Sequence, residues 1–314
     1  MDGAVRMAPR MRSLRLCDSP PSSFVRRLAD HGLANLEELT LLDQHLPNSA
    51  KSFFGPTPRL WKLDACPHLI EGVGMPWLQL TDLTLRHCKE PLISLEILIH
   101  CKNLVAASVL TCGWIYEPPL RGEILLNHLR TLLLDLRPAN GETCFTPFLT
   151  RLSVPALEEL ALRLVDRYSW VETHVTSFQL RSPNITHLEV TSNHGLLELT
   201  SDEVRIILLR APSLTCLVFH HCVRGINDAL LRALLYKDGV EPLVPRLHDL
   251  SLLGIHPLKI TVLEDMIVSR WNSGSPAVAR WKRIQLKPLY PFAFSKNFCM
   301  AMKALARQGI PVVL

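Results

Sequence analysis

Leu80-Thr81-Asp82-Leu83-Thr84-Leu85-Arg86-His87-Cys88 is the stretch that decides how this chain reads. Its apolar residues stand at the first, fourth and sixth positions, and a cysteine closes it. Residues 214–222, Leu-Thr-Cys-Leu-Val-Phe-His-His-Cys, repeat the pattern down to that cysteine. Internal repetition comes before any other signal, because it dictates how a core is assembled.

Working outward, the same core begins at Met11, Leu36, Leu60, Leu80 and Leu104. It returns at Leu129, Leu157, Ile185, Leu214, Leu247 and Trp281. Successive starts lie 20 to 29 residues apart as far as Leu214, then 33 and 34. The first range is that of leucine-rich repeats, and the last two spacings need an insertion each. The fourth and sixth positions alternate with a variable residue, which is a strand period of two. One such unit cannot bury its apolar face alone. Stacked units bury a continuous core, at about 1.5–3 kcal/mol per fully buried Leu. The expected fold is α/β: a leucine-rich-repeat solenoid, or horseshoe, of about eleven repeats. A parallel β-sheet would line its concave face, with helices and loops on the convex face. A single domain is expected over 1–314, with a helix-strand cap over 295–314.

The connections carry helix signals. Residues 91–103 place Leu92, Leu95, Leu98 and Ile99 at helical intervals behind Pro91. Thr200 with Glu203, and Thr261 with Glu264, have capping-box spacing. Asn227 is an N-cap for residues 228–237, and Ser295 opens a final helix that stops at Gly309. Pro58, Pro155, Pro183, Pro212 and Pro245 stand shortly before cores. Proline restrains its predecessor, so each is read as ending a convex helix and returning the chain to extended structure. Residues 111–121, 137–151, 166–178 and 254–280 read as longer interruptions. Trp114, Tyr116 and Trp170 are the candidate loop contacts within them, since binding residues gather on loops.

Composition narrows the class. The 314 residues are 48% hydrophobic, with abundant Leu and only 4 Tyr, which points to an aliphatic core. A net charge of +5 is mild and its Arg and Lys are scattered, which argues against a dedicated nucleic-acid binder. No segment has the roughly 18 uninterrupted apolar residues of a membrane span. Residues 1–12 carry charges at both ends and no apolar run, so they do not read as a signal peptide. Nine cysteines without CxxC spacing read as reduced thiols of an intracellular protein, in cytoplasm or nucleus. Hydrolase, zinc-protease and nucleotide-binding signatures are missing, so no catalytic residue, cofactor or metal is assigned. Cys88, Cys112 and Cys222 all follow the third apolar residue of their repeats by three. That position is expected to turn inward, where a thiol is structural and inert.

The default binding surface of a solenoid is its concave face. By register, that face carries Asp64, Arg86, Leu110, Leu133, Asp135, Arg163, Glu189, Val218 and His220 as candidate partner contacts. Strands lie about 4.8 Å apart, so Arg86, Asp135 and Arg163 are expected to form a charged ladder. Leu110, Leu133, Ala161 and Val218 make an apolar break in mid-arc, expected to be the centre of a partner site with a charged rim.

The LxxLxLxxC endings at residues 80–88 and 214–222, the irregular repeat length and the closing helix-Gly-strand of residues 304–314 carry a resemblance. Together they resemble the leucine-rich-repeat half of fungal, basidiomycete-type F-box proteins, over nearly the whole chain. The resemblance implies a non-catalytic module that holds a protein substrate on its repeats, within a ubiquitin ligase receptor. It also implies a Skp-type adaptor and a cullin as partners, docked through an N-terminal F-box. That F-box is a helical module of about 40 residues with an early Leu-Pro. No Leu-Pro helix fits ahead of Met11, so the F-box is expected to lie outside this chain. A stand-alone leucine-rich scaffold without a ubiquitin role is the alternative. The Met11 repeat is expected to leave its apolar end open, because residues 22–31 form a convex helix that cannot shield it.

Overall fold

The computed structural model describes residues 2–17, 21–42, 57–70, 74–88, 91–112, 122–137, 143–144, 146–164, 168–169, 171–192, 199–222, 224–255, 258–289 and 294–314. In chain order its strands are β1 (Ser13–Leu16), β2 (Glu38–Leu41), β3 (Lys62–Ala65), β4 (Asp82–Cys88) and β5 (Ala106–Cys112). Next come β6 (Ile124–Leu125), β7 (Thr131–Arg137), β8 (Thr143–Cys144), β9 (Leu152–Ser153), β10 (Glu159–Leu164) and β11 (Tyr168–Ser169). The last are β12 (His187–Ser192), β13 (Cys216–His220), β14 (Asp249–Ile255), β15 (Arg283–Pro288) and β16 (Val312–Val313). Twelve of them form one parallel sheet in the order β1-β2-β3-β4-β5-β7-β10-β12-β13-β14-β15-β16. The chain is therefore α/β with a large parallel sheet. It divides into two compact units.

The first unit holds Met1–Cys112, Pro118–Asp135 and Arg151–Ala156. Within it lie α1 (Asp2–Met7), α2 (Ser22–Asp30), α3 (Pro67–Ile70) and α4 (Pro91–His100). Residues 2–10 correct the expectation of an open first repeat. They form α1 and a following 3-10 turn, with Val5 and Ala8 buried and the Asn35 amide donating to the Pro9 carbonyl at 2.7 Å. The apolar pair at i, i+3 was hidden among Arg6, Met7 and Arg10. In α4 the buried residues are Pro91, Ser94, Leu95, Ile97 and Leu98, whereas Ile99 turns outward.

The second unit holds Gly113–Glu117, Leu136–Thr150 and Leu157–Leu314. Its helices are α5 (Thr146–Arg151), α6 (Glu172–Arg181), α7 (Ser201–Leu209), α8 (Asp228–Leu234), α9 (Ile260–Asn272) and α10 (Lys296–Arg307). The stretch read as an interruption at 166–178 thus contains most of a helix, packed through Val175 and Phe178. Thr200 and Glu203 do form a capping box on α7. The second expected box does not form. Helix α9 starts two residues early, with Lys259 at its N-cap, and that backbone N–H donates to the Asp228 carboxylate at 3.1 Å. Asn227 caps α8 through the Ala229 and Leu230 N–H groups, but the helix stops at Leu234.

Each repeat begins with the same local device. The first apolar residue is buried in every copy from Leu36 to Trp281. In most copies its N–H closes a tight turn onto the carbonyl three residues back, as Leu60 does to Thr57, Leu214 to Ala211 and Leu247 to Val244. Pro58, Pro212 and Pro245 occupy the second position of those turns. There the fixed φ of proline fits and its missing N–H is not needed. The prolines set the entry turn of a strand rather than the end of a helix.

The next residue then carries the ladder. Its carbonyl accepts two N–H groups from the following repeat, as Glu37 accepts from Trp61 and Lys62, and Thr215 from His248 and Asp249. Burial alternates strictly along β2, β5, β7 and β13. One face is core and the other faces solvent.

Candidate functional site

On the solvent-facing side of the first unit, the strand register defines two rows. One runs Ser13, Glu38, Lys62, Asp82, Ala106, and the other Arg15, Thr40, Asp64, Thr84, Ser108. Charge alternates along the first row at Glu38, Lys62 and Asp82. Burial pushes the Asp82 carboxyl up, with Glu38 and Asp64 adding to the shift and Lys62 opposing it. Asp64 accepts a two-pronged hydrogen bond from Arg86, Nε to Oδ1 at 2.6 Å and an Nη to Oδ2 at 2.9 Å. That bond raises the Arg86 guanidinium above its ordinary value. Leu110, Leu133 and Asp135 lie on the same half-buried side of β5 and β7.

The second unit carries three rows on its solvent-facing side. They run Glu159, His187, Cys216, Asp249, Arg283; then Ala161, Glu189, Val218, Ser251, Gln285; then Arg163, Thr191, His220, Leu253, Lys287. Glu189 is held from two sides, by Arg163 Nε at 3.7 Å and by the Thr191 hydroxyl donating at 3.2 Å. The His220 ring stacks on His221 with centroids 4.3 Å apart. Burial, His221 and Lys287 lower the His220 pKa, while Glu189 opposes them. The neutral ring is therefore favoured. His248 bridges Asp249, at 3.1 Å from Nδ1, and the Lys282 ammonium, at 3.4 Å from Nε2.

These rows revise two expectations. The charged ladder of Arg86, Asp135 and Arg163 gives way to pairs with nearer carboxylates, since Arg86 takes Asp64 and Arg163 takes Glu189. Both pairs run diagonally to the next strand, where a long guanidinium reaches more easily than across two strands. The apolar break is also interrupted: Glu189 stands between Ala161 and Val218 in their row. Leu110 and Leu133 belong to the first unit and Val218 to the second. The loop contacts expected at Trp114, Tyr116 and Trp170 lie outside the described residues.

Two of the three cysteines can be placed. Cys222 is buried and its thiol donates to the Val190 carbonyl at 3.4 Å, with burial pushing its pKa up to about 12. Cys112 does not turn inward. It stays on the half-exposed side of β5, because alternation continues unbroken there. The Cys88 side chain falls outside the described residues. What separates the repeats is the residue two places after the third apolar position. His87 and His221 adopt left-handed φ of 54° and 58° there, and Gly254 one of 67°. A left-handed residue swaps the sides, and the following residue, Cys222 or Ile255, enters the core.

Among the described residues, no group of three or more His, Cys, Asp or Glu side chains is arranged to hold a metal ion. No described helix is long and apolar enough to cross a membrane. The fold and its rows define a class, an α/β chain built on a parallel sheet with one solvent-facing side. No protein-family model matches the chain, and no curated protein matches it.

Proposed function

We propose that this chain is a non-catalytic protein-binding module: a leucine-rich-repeat horseshoe of about eleven repeats that holds a protein partner on its concave face. It acts inside the cell, in cytoplasm or nucleus, as the substrate-recognition region of an F-box type ubiquitin ligase receptor. The observation that carries the reading is the solvent-facing side of the sheet in each unit. It sets polar, charged and aliphatic side chains in rows about 4.8 Å apart on a rigid backbone. Such a surface offers contact area and paired charges. Cys216 stands between His187 and Asp249 in its row. The most central thiol, Cys216, is pushed up by burial and by Asp249, which leaves it protonated and a poor nucleophile. The ligase role rests on the resemblance of the repeat endings to fungal F-box proteins.

The test uses purified Skp-type adaptor and cullin, offered to this chain and to the chain extended by the coding sequence that precedes it. Binding by the extended form alone is the expected outcome. Binding by neither form reduces the reading to a repeat scaffold without a ubiquitin role.

A further inference from the structure

The first unit carries a groove away from the rows of its sheet, of about 580 Å³, between the turn leading into β4 and the C-terminal end of α4. Met75 and Trp77 line it together with Leu78 and Ile99, and His100 and Lys102 stand in its lining as well. Leu78 is 64% exposed and Ile99 36% exposed, so two large aliphatic side chains of one groove face water. An open aliphatic pair beside a groove of ligand size suits a contact site.

Both walls are fixed before anything binds. The Gln79 amide donates to the Thr57 carbonyl at 2.6 Å, and the Asn103 amide donates to the Leu78 carbonyl at 2.6 Å. The first bond anchors the 3-10 turn Trp77–Gln79, and the second ties that turn to the loop after α4. Behind the wall, Cys101 is buried and its thiol donates to the Ile97 carbonyl at 3.3 Å, closing the last turn of α4. A preformed groove binds without first having to order its own walls.

The charge of the lining selects the occupant. Among the described residues of its lining the ionisable groups are His100 and Lys102, and none is acidic. We infer that this groove docks a short peptide segment of a partner protein, with an aliphatic or aromatic anchor beside an Asp or Glu. The anchor lies against Leu78, Ile99 and Trp77, and the carboxylate meets Lys102. This site is separate from the solvent-facing rows of the sheet, so its test does not depend on the proposed function.

The experiment selects peptides from a displayed random library on the full chain, then measures the enriched peptides against Leu78→Asp and Lys102→Glu. The exposure of Leu78 and Lys102 leaves the fold intact, which matching melting curves establish. Enriched peptides are expected to pair an apolar residue with a nearby acid. Leu78→Asp is expected to weaken them about tenfold, as loss of an anchor does. Lys102→Glu is expected to weaken them about threefold, with the loss shrinking at high salt. A fluorescence change on peptide addition that a Trp77→Phe variant lacks reports engagement, since the chain has 6 Trp. Three results overturn the inference: no enrichment, enrichment without acidic bias, or peptides that bind Leu78→Asp as tightly as the native chain. Peptides that lose affinity only when the sheet face is altered also overturn it, since they occupy the other surface.

Discussion

At the scale of single residues, Arg270 ties several backbone segments of the second unit together, and nothing in its sequence neighbourhood announces it. It sits on α9 with no exposed surface. Its guanidinium donates to the carbonyls of Leu234 at 3.0 Å, Val244 at 3.2 Å and Leu243, and lies 5.4 Å from the Trp281 ring centroid. Burial lowers its pKa to about 10, still far enough above neutrality to keep it charged. The Leu234 carbonyl belongs to the last residue of α8, which has no partner inside its own helix. A buried cation is costly unless donors and acceptors match, and here carbonyl oxygens take the place of a carboxylate. Arg270→Met keeps the bulk and leaves those carbonyls unpaired. It is expected to lower unfolding free energy by about 3 kcal/mol in urea titration. A loss below about 1 kcal/mol would show that water or a shifted loop replaces the guanidinium. From the sequence, Arg270 reads as one more polar residue near a helix end. Only the 33- and 34-residue spacings on either side of Leu247 hint that extra chain there needs internal bonding.

Elements were far more legible than individual contacts. The turn, the buried first leucine and the alternating strand each rest on local chemistry, so Leu36 to Trp281 can be aligned by eye. Thr200 and Ser295 were equally plain as caps, because the bond each makes lies within three residues. The Thr261 box does not form: the N-cap is Lys259, whose N–H bonds a non-local acceptor, Asp228. Charge pairing was misread for a similar reason. Register fixes which residues share a row, while diagonal reach decides which of them touch.

The strand exits were only half legible. His87-Cys88 and His221-Cys222 look alike in sequence, but nothing local says that the histidine must be left-handed. Gly254 holds the same place in the next repeat, and a Cβ added to it would overlap the His221 imidazole. Gly254→Ala is therefore expected to cost about 3 kcal/mol, from its positive φ and the overlap together. In a His221→Gly background the overlap disappears, and the same change is expected to cost about 1 kcal/mol. Equal costs in both backgrounds, measured by thermal or urea unfolding, would show that the two repeats do not lock at this point.

Over the whole molecule, the packing that gives stability and the proposed binding role fall on opposite faces of the same strands. Leu132, Leu134, Leu217 and Phe219 are buried, while Leu133 and Val218 between them are half-exposed on the other side. Changes on the second set leave the core packing untouched, and surface substitutions of this kind typically move stability by no more than about 0.5 kcal/mol. Aliphatic side chains in the midst of charged rows are then available for a partner's anchors, with Arg86–Asp64 and Arg163–Glu189 as ordered polar surroundings. The most direct measurement is affinity capture with the native chain beside Leu133→Asp and Val218→Asp made separately, each with its melting curve. The account expects unchanged melting and loss of the captured partner in at least one of the two variants. The same partner retained at native affinity by both would contradict it.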